Sequence, residues 1–193
     1  MTETLHAPTA TDRARSRAEL DRALPHILDA PENDGRLDLI ISRPGHGARE
    51  MPARVAVSAA AGIAGDHWAQ GCWLTDDSGA PHPDVQICMM MSRVIGAIAG
   101  DISNWPPAGD NLFLDMDLTP ANMPPGTVFT LGTADFVVTA ERHNGCQSFI
   151  DRYGRDACLF VNTGRGKDLR LRGIYARVLR DGEIAVGDRL TKH

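Results

Sequence analysis

Long apolar runs are missing from this chain. No stretch of 18 or more apolar residues occurs, so no membrane-spanning helix is predicted. The opening MTETLHAPTATDRARSRAEL is polar and lacks the apolar centre of a secretion signal, which makes the cytoplasm the expected location. Positive charge is also short. With 20 Lys and Arg against 25 Asp and Glu, the net charge of -5 gives no chain-wide field to recruit nucleic acid or an anionic membrane. An anion would have to be met by a local basic cluster. Cysteine is sparse: Cys72, Cys88, Cys146 and Cys158 form no CxxC pair, which argues against a zinc knuckle or a thioredoxin motif. Without a secretion signal they are expected to be reduced. There is no GxGxxG loop after a strand and no ferredoxin-type cysteine cluster, so no electron-delivering module is encoded.

What is present suits a small β-rich protein. The 193 residues suffice for one domain, or one domain with a decorated end, and can bury a core without staples. With 19 Gly and 12 Pro, the sequence favours short strands joined by turns. Residues 1–33 read as an extension. Its first ten or so residues are expected to be disordered, and a helix is predicted over 12–29, where Ser16 and Glu19 have capping-box spacing. Pro25 is expected to kink or interrupt that helix. The domain proper, 34–193, is read as seven or so short strands with two or three helices, a β-barrel or sandwich with helical additions. Strands are predicted in RLDLIISRP, at 53–59 and at 85–89, with a helix over about 91–99. Further strands are predicted in GDNLFLDMDL and on both sides of a Gly turn in TVFTLGTADFVVTAE. A helix-like stretch follows over about 147–162, and two last strands are joined by an Asp181-Gly182 hairpin turn. Met89, Met90 and Met91 read as core filling.

The segment ERHNGCQSFIDRYG concentrates the chemistry. Cys146 follows an apolar strand and precedes a helix, whose N-terminal dipole favours thiolate. Arg142, His143 and Arg152 can add positive charge there. A thiolate is a nucleophile, a metal ligand or a carrier of a second sulfur. The other cysteines look plainer: Cys88 lies in an apolar run, Cys158 on the buried face of a helix, and Cys72 five residues after His67 gives only the outline of a metal pair. A thiol-peroxidase or redox-sensor reading lacks a resolving cysteine near Cys146 in sequence; Cys158 could serve only if the fold brings it close. Asp66-His67 can orient or protonate a ligand, or simply form a turn. Arg165, Lys167, Arg170, Arg172 and Arg177 crowd thirteen residues and offer a phosphate-type anion site. Alternation in a strand would place Arg172 with Ile174, and Arg177 with Tyr175. Asn111 enters an apolar strand and can donate to a ligand or end a turn.

The order GIAGDHW, GDNLFLDMDL, PPGTVFTLGTADFVVTAERHNGC, RLRGIYARVLRDGEIAVGDRL resembles the MOSC domain, named for the C-terminal domain of molybdenum-cofactor sulfurase, over residues 35–191. The resemblance implies a MOSC-type, pyruvate-kinase-like β-barrel that binds the molybdenum cofactor, a phosphate-bearing pterin dithiolene. It implies that Cys146 ligates molybdenum in a reductase of N-hydroxylated compounds, or carries a persulfide for sulfur transfer. His143 or His67 would then serve as proton donor, and Asp66, Asn111, Arg142, Arg172 and Arg177 would line the cofactor. A separate electron donor or a sulfur-donor protein would be the partner, a small molecule the substrate, and the N-terminal helix could cap the barrel or pair two subunits. No pyridoxal-phosphate module fits beside this domain. The family's Gly-Asp-Arg-His turn reads Gly65-Asp66-His67-Trp68 here, and an Arg-Arg-Asn reads Gly109-Asp110-Asn111, so two arginines of the pattern are absent. The competing reading is a non-catalytic barrel that holds a small anion.

Overall fold

A computed structural model describes residues 14–193. The expected disorder of the first residues, and the start of the predicted helix, lie outside that range. The first helix, α1 (Arg17–Leu28), has the capping box in place: the Ser16 hydroxyl accepts from the Glu19 amide, and the Glu19 carboxylate accepts from the Ser16 amide. It runs through Pro25 without ending there. Leu20 and Ile27 sit on one face and are fully buried.

Seven strands close a barrel. They are β1 (Gly35–Ile40), β4 (Ile87–Met91), β5 (Leu112–Asp115), β6 (Val128–Leu131), β7 (Ala134–Arg142), β8 (Ile174–Arg180) and β10 (Arg189–Lys192), in the order β1-β10-β6-β7-β8-β4-β5. The pair β4–β5 is parallel and the others are antiparallel. A parallel pair needs a crossover, and α3 (Ser92–Ala99) lies on it. Every residue of β4 is buried, and Met89, Met90 and Met91 fill the core as the sequence implied. Phe129 and Phe136 stack across the β6–β7 pair with ring centroids 5.2 Å apart. Three shorter strands, β2 (Arg54–Ser58), β3 (Gly62–Ile63) and β9 (Gly182–Ala185), form a second sheet in the order β3-β2-β9. The fold class is therefore the expected mainly-β barrel with helical additions.

Several boundaries differ from expectation. Asp181-Gly182 makes no hairpin: β8 stays in the barrel, while β9 pairs with β2. The Asp181 carboxylate accepts from the Ala59 amide at 2.8 Å, and the Thr133 carbonyl lies where a Cβ on Gly182 would go, so the chain crosses between sheets. The stretch predicted as one helix over 147–162 is two, α4 (Gln147–Tyr153) and α5 (Arg155–Asn162), because Gly154 at φ 88° turns the chain between them. A short α6 (Gly164–Asp168) follows, and α2 (Trp68–Gly71) sits between the sheets in sequence. Arg172 precedes β8 rather than lying on it, so its predicted strand face does not apply. The strand and helix predicted at 85–89 and 91–99 each begin a residue or two later.

Candidate functional site

Cys146 is the N-cap of α4 and is exposed. Burial pushes its thiol up, but the amides of Phe149 and Ser148, the Ser148 hydroxyl and the Arg172 guanidinium together hold it below the ordinary thiol value. The positive charge here therefore comes from Arg172. The expected contribution of His143 is absent: its side chain is only 7% exposed, and burial, then Arg172, then Arg43 hold it well below 6.5, hence neutral. His143 Nδ1 is buried without a hydrogen-bond partner, 3.4 Å from Asp110 Oδ1, and its ring packs 4.6 Å from that of Tyr175. Arg152 turns toward the Pro107 carbonyl at 2.5 Å.

Two buried ion pairs stand behind this segment. Arg172 Nη1 donates to both oxygens of Asp110 at 2.9 and 2.8 Å, and Nη2 to the Ala108 carbonyl at 3.0 Å. Its guanidinium lies 4.9 Å from the centroid of the Phe149 ring on α4, and its Nε has no partner. Burial pushes Arg172 down, but Asp110 outweighs it and the group stays charged. In the second pair, Arg43 Nε and Nη2 grip the two oxygens of Asp66 at 2.8 and 3.0 Å. Its Nη1 donates to the Gly109 carbonyl at 2.9 Å and to Cys88 Sγ at 3.2 Å. Asn111 ties the set together. Its amide donates to the Ile41 carbonyl and to Asp66, and its oxygen accepts from the Cys88 amide and thiol.

These bonds decide what each predicted residue has left to give. Asn111 uses both its donors and accepts two bonds inside the protein, so no donor remains for a ligand. Asp66 accepts from Arg43, Asn111 and the Arg43 and Trp68 amides, and serves to anchor Arg43. The arginine missing from the first turn is thus met by another guanidinium reaching Asp66 from the loop after β1. Arg177 is 45% exposed, pairs with Asp84 at 3.5 Å, and lines neither of the two clefts that flank His143.

The first cleft, of about 330 Å³, is lined by Arg142, His143, Asn162, Lys167, Arg170 and Arg172, among others. The second, of about 260 Å³, includes Arg43, His67, Cys72, Cys88, His143 and Tyr175. His67 Nδ1 lies 2.7 Å from the Arg43 carbonyl. His67 and Cys72 do share this cleft, yet among the described residues no group of three or more His, Cys, Asp or Glu could hold a metal ion. Arg43 and Asp110 escaped the sequence reading. Asp110 did carry a signal, since a carboxylate entering an apolar strand needs a buried partner; Arg43 carried none.

The order of barrel strands around a cysteine at a helix start can be compared with known proteins. The family model of the MOSC domain matches residues 76–191. The chain belongs to the MOSC domain family. Solved structures agree on the MOSC fold. YuaD from Bacillus subtilis matches with a TM-score of 0.60 at 17% identity, covering 82% of this chain and 95% of that one. YiiM from Escherichia coli matches with a TM-score of 0.52 at 18% identity, covering 82% of this chain and 69% of that one. At such identities the likeness concerns the fold alone. No curated protein matches the chain. The matched MOSC segment contains Cys146, His143, Asn111, Arg142, Arg172 and Arg177, while Arg43, Asp66 and His67 precede it.

Proposed function

We propose that this MOSC domain binds the molybdenum cofactor, with the Cys146 sulfur at the metal, and reduces the N–O bond of N-hydroxylated compounds. The observation that carries this reading is an exposed, thiolate-leaning Cys146 two residues after Asn144, in the loop whose Arg142, His143 and Asn144 line a cationic cleft of about 330 Å³. The residues fit the group. Thiolate is a soft ligand suited to molybdenum. Arg142 and Lys167, both exposed, line the cleft and would meet a phosphate. The cleft volume falls at the lower end of the range of small-molecule sites, roughly 300–1,000 Å³. His143 Nδ1, buried and unpartnered, is a polar atom awaiting a ligand or a proton.

When bound, the cofactor supplies a two-electron centre at the metal. The chain's own residues do the rest. The amides of Phe149 and Ser148 and the Ser148 hydroxyl, with Arg172 held by Asp110 behind them, keep Cys146 toward thiolate. Neutral His143 can hold or pass one proton in the cleft it lines. Electrons would come from a separate donor protein, and the compound reduced is a small molecule.

One finding favours the second reading, a barrel that only holds a small anion: Arg43 and Arg172 are already matched by Asp66 and Asp110, which leaves fewer free cations for a phosphate-bearing pterin. Retention of released cofactor tests both. After desalting, wild type should keep molybdenum and pterin in equal amounts, and Cys146→Ala should lose most of the metal. If neither protein retains metal or pterin while inorganic phosphate still binds, the cofactor reading fails and the anion reading replaces it.

A further inference from the structure

Cys158 lies on α5, twelve residues after Cys146, and the fold brings it back to the start of α4. It is 7% exposed. Its Sγ accepts from Asn162 Nδ2 at 3.1 Å. The same side chain clamps the residue before Cys146: Asn162 Nδ2 donates to the Gly145 carbonyl at 3.2 Å, and Oδ1 accepts from the Gly145 amide at 2.9 Å. Cys158 and Asn162 are one helical turn apart and so share a face of α5. Gly154 turns the chain so that this face meets the loop. A Cβ on Gly145 would lie only 3.3 Å from Cys158 Sγ and 2.7 Å from Asn162 Nδ2, so only glycine lets the loop come this close. The Gly145 Cα is therefore within about 5 Å of that sulfur, the Cα of Cys146 within about 9 Å of it, and the two cysteine Cα atoms within about 12 Å of each other at the outer limit. A disulfide needs Cα atoms roughly 4.4–6.8 Å apart, so bridging requires the Cys146 loop to swing toward α5 by several ångströms. Residues 143–146 lie between β7 and α4, so the swing breaks no strand ladder and gives up the first bonds of α4, which the Cys146 carbonyl accepts from the Phe149 and Ile150 amides.

We propose that Cys146 and Cys158 form a reversible disulfide when Cys146 meets a peroxide, with Cys158 as the resolving thiol. Cys146 is the exposed partner and meets the oxidant first. Its sulfur attacks one oxygen of hydrogen peroxide. An S–O bond forms, the O–O bond breaks, and hydroxide leaves as water with the thiol proton. Cys146 is now a sulfenic acid and the peroxide is reduced. The Cys158 sulfur attacks the sulfenic sulfur. The S–S bond forms, the S–O bond breaks, and a second water carries off the Cys158 proton. In sum, two thiols and one peroxide give one disulfide and two waters, and a dithiol reductant restores the thiols by exchange. The bond replaces the Asn162–Cys158 contact and spares Cys146 from irreversible sulfinic acid. It also withdraws Cys146 from a metal, a consequence that rests on the cofactor reading above.

The full reduced chain, exposed to stoichiometric hydrogen peroxide, should lose two thiols and become two hydrogens lighter. Digestion without reductant should yield one peptide pair joining Cys146 to Cys158, reversed by dithiothreitol. With two or more equivalents of peroxide, Cys158→Ala should give no such pair and should carry Cys146 on to sulfinic acid, while Cys146→Ser should keep its thiols. The inference is overturned if wild type overoxidises at Cys146 as readily as Cys158→Ala. It is equally overturned if the bond joins Cys146 to Cys72, to Cys88 or to a second chain; the wild-type peptide map decides this even if a variant fails to fold. Molybdenum retention by reduced Cys158→Ala separates the two readings. Normal retention with no disulfide defeats this one alone, and a disulfide in a protein that never holds molybdenum defeats the other alone.

Discussion

His143 is largely buried between the two clefts and feels two guanidiniums, Arg172 and Arg43, and an imidazole so placed stays neutral. Its folded value lies below its unfolded one, so below about pH 6.5 the unfolded chain binds a proton that the folded chain refuses. Stability from this residue is complete above that pH and falls as the pH drops through it, by at most about 1.4 kcal/mol per pH unit. Urea midpoints from pH 7.5 to pH 5 should therefore fall more steeply for wild type than for His143→Phe; parallel curves would remove His143 as the cause. The ion pair beside it gives a second expectation. Asp110→Ala strands the buried Arg172 cation and should cost about 3–5 kcal/mol in denaturant unfolding, with partial recovery in the double variant Asp110→Ala/Arg172→Met. A loss under about 1 kcal/mol would mean that water reaches Arg172. At this scale the sequence showed Cys146 through its polar neighbours. It could not show the partners of Arg43 and Arg172, which stand 23 and 62 positions away and follow no local pattern.

At the level of elements, glycine decides where chain segments meet. Gly173 enters β8 at φ 116°, and a Cβ there would lie 2.2 Å from the Met89 carbonyl of β4 and 3.1 Å from His143 Nδ1. Gly173→Ala should thus lower stability by on the order of 3 kcal/mol and disturb His143 at the same time. Thermal unfolding would show it, and a near-native melting point would mean that β4 and β8 can slide apart at little cost. The barrel strands themselves were legible, since period-2 apolar runs between turn residues survive in any β fold. Gly154 was not, because helical periodicity reads across a glycine. Asp181-Gly182 misled for a different reason: the same dipeptide suits a hairpin and a change of sheet, and only the partner strand, β2, distinguishes them.

On the scale of the whole molecule, α1 packs on α3 and α5 and lends Leu20 and Ile27 to the same core as the barrel. Arg17 fastens it through its amide to Asp156, and Arg93 reaches the His26 carbonyl. Leu20→Ala and Ile27→Ala should each cost about 2–5 kcal/mol. Unfolding should remain one transition that helical and barrel probes report together; a helix that melts first, with the barrel intact, would make α1 a detachable arm. The PENDG break is visible in the sequence, while the apolar face of α1 that joins the barrel core follows from packing.

The place of β10 between β1 and β6 has a consequence in time. Gly35 pairs with Leu190, so the seam joins points about 155 residues apart along the chain. That closure must order most of the intervening loop before it gains its bonds, and the entropy falls due early. Local hairpins such as β6–β7 can form quickly, yet the ring stays open until its most distant strands find each other. Folding is accordingly set in the millisecond-to-second range of nonlocal β topologies, and the seam is the part of the molecule that arrives last.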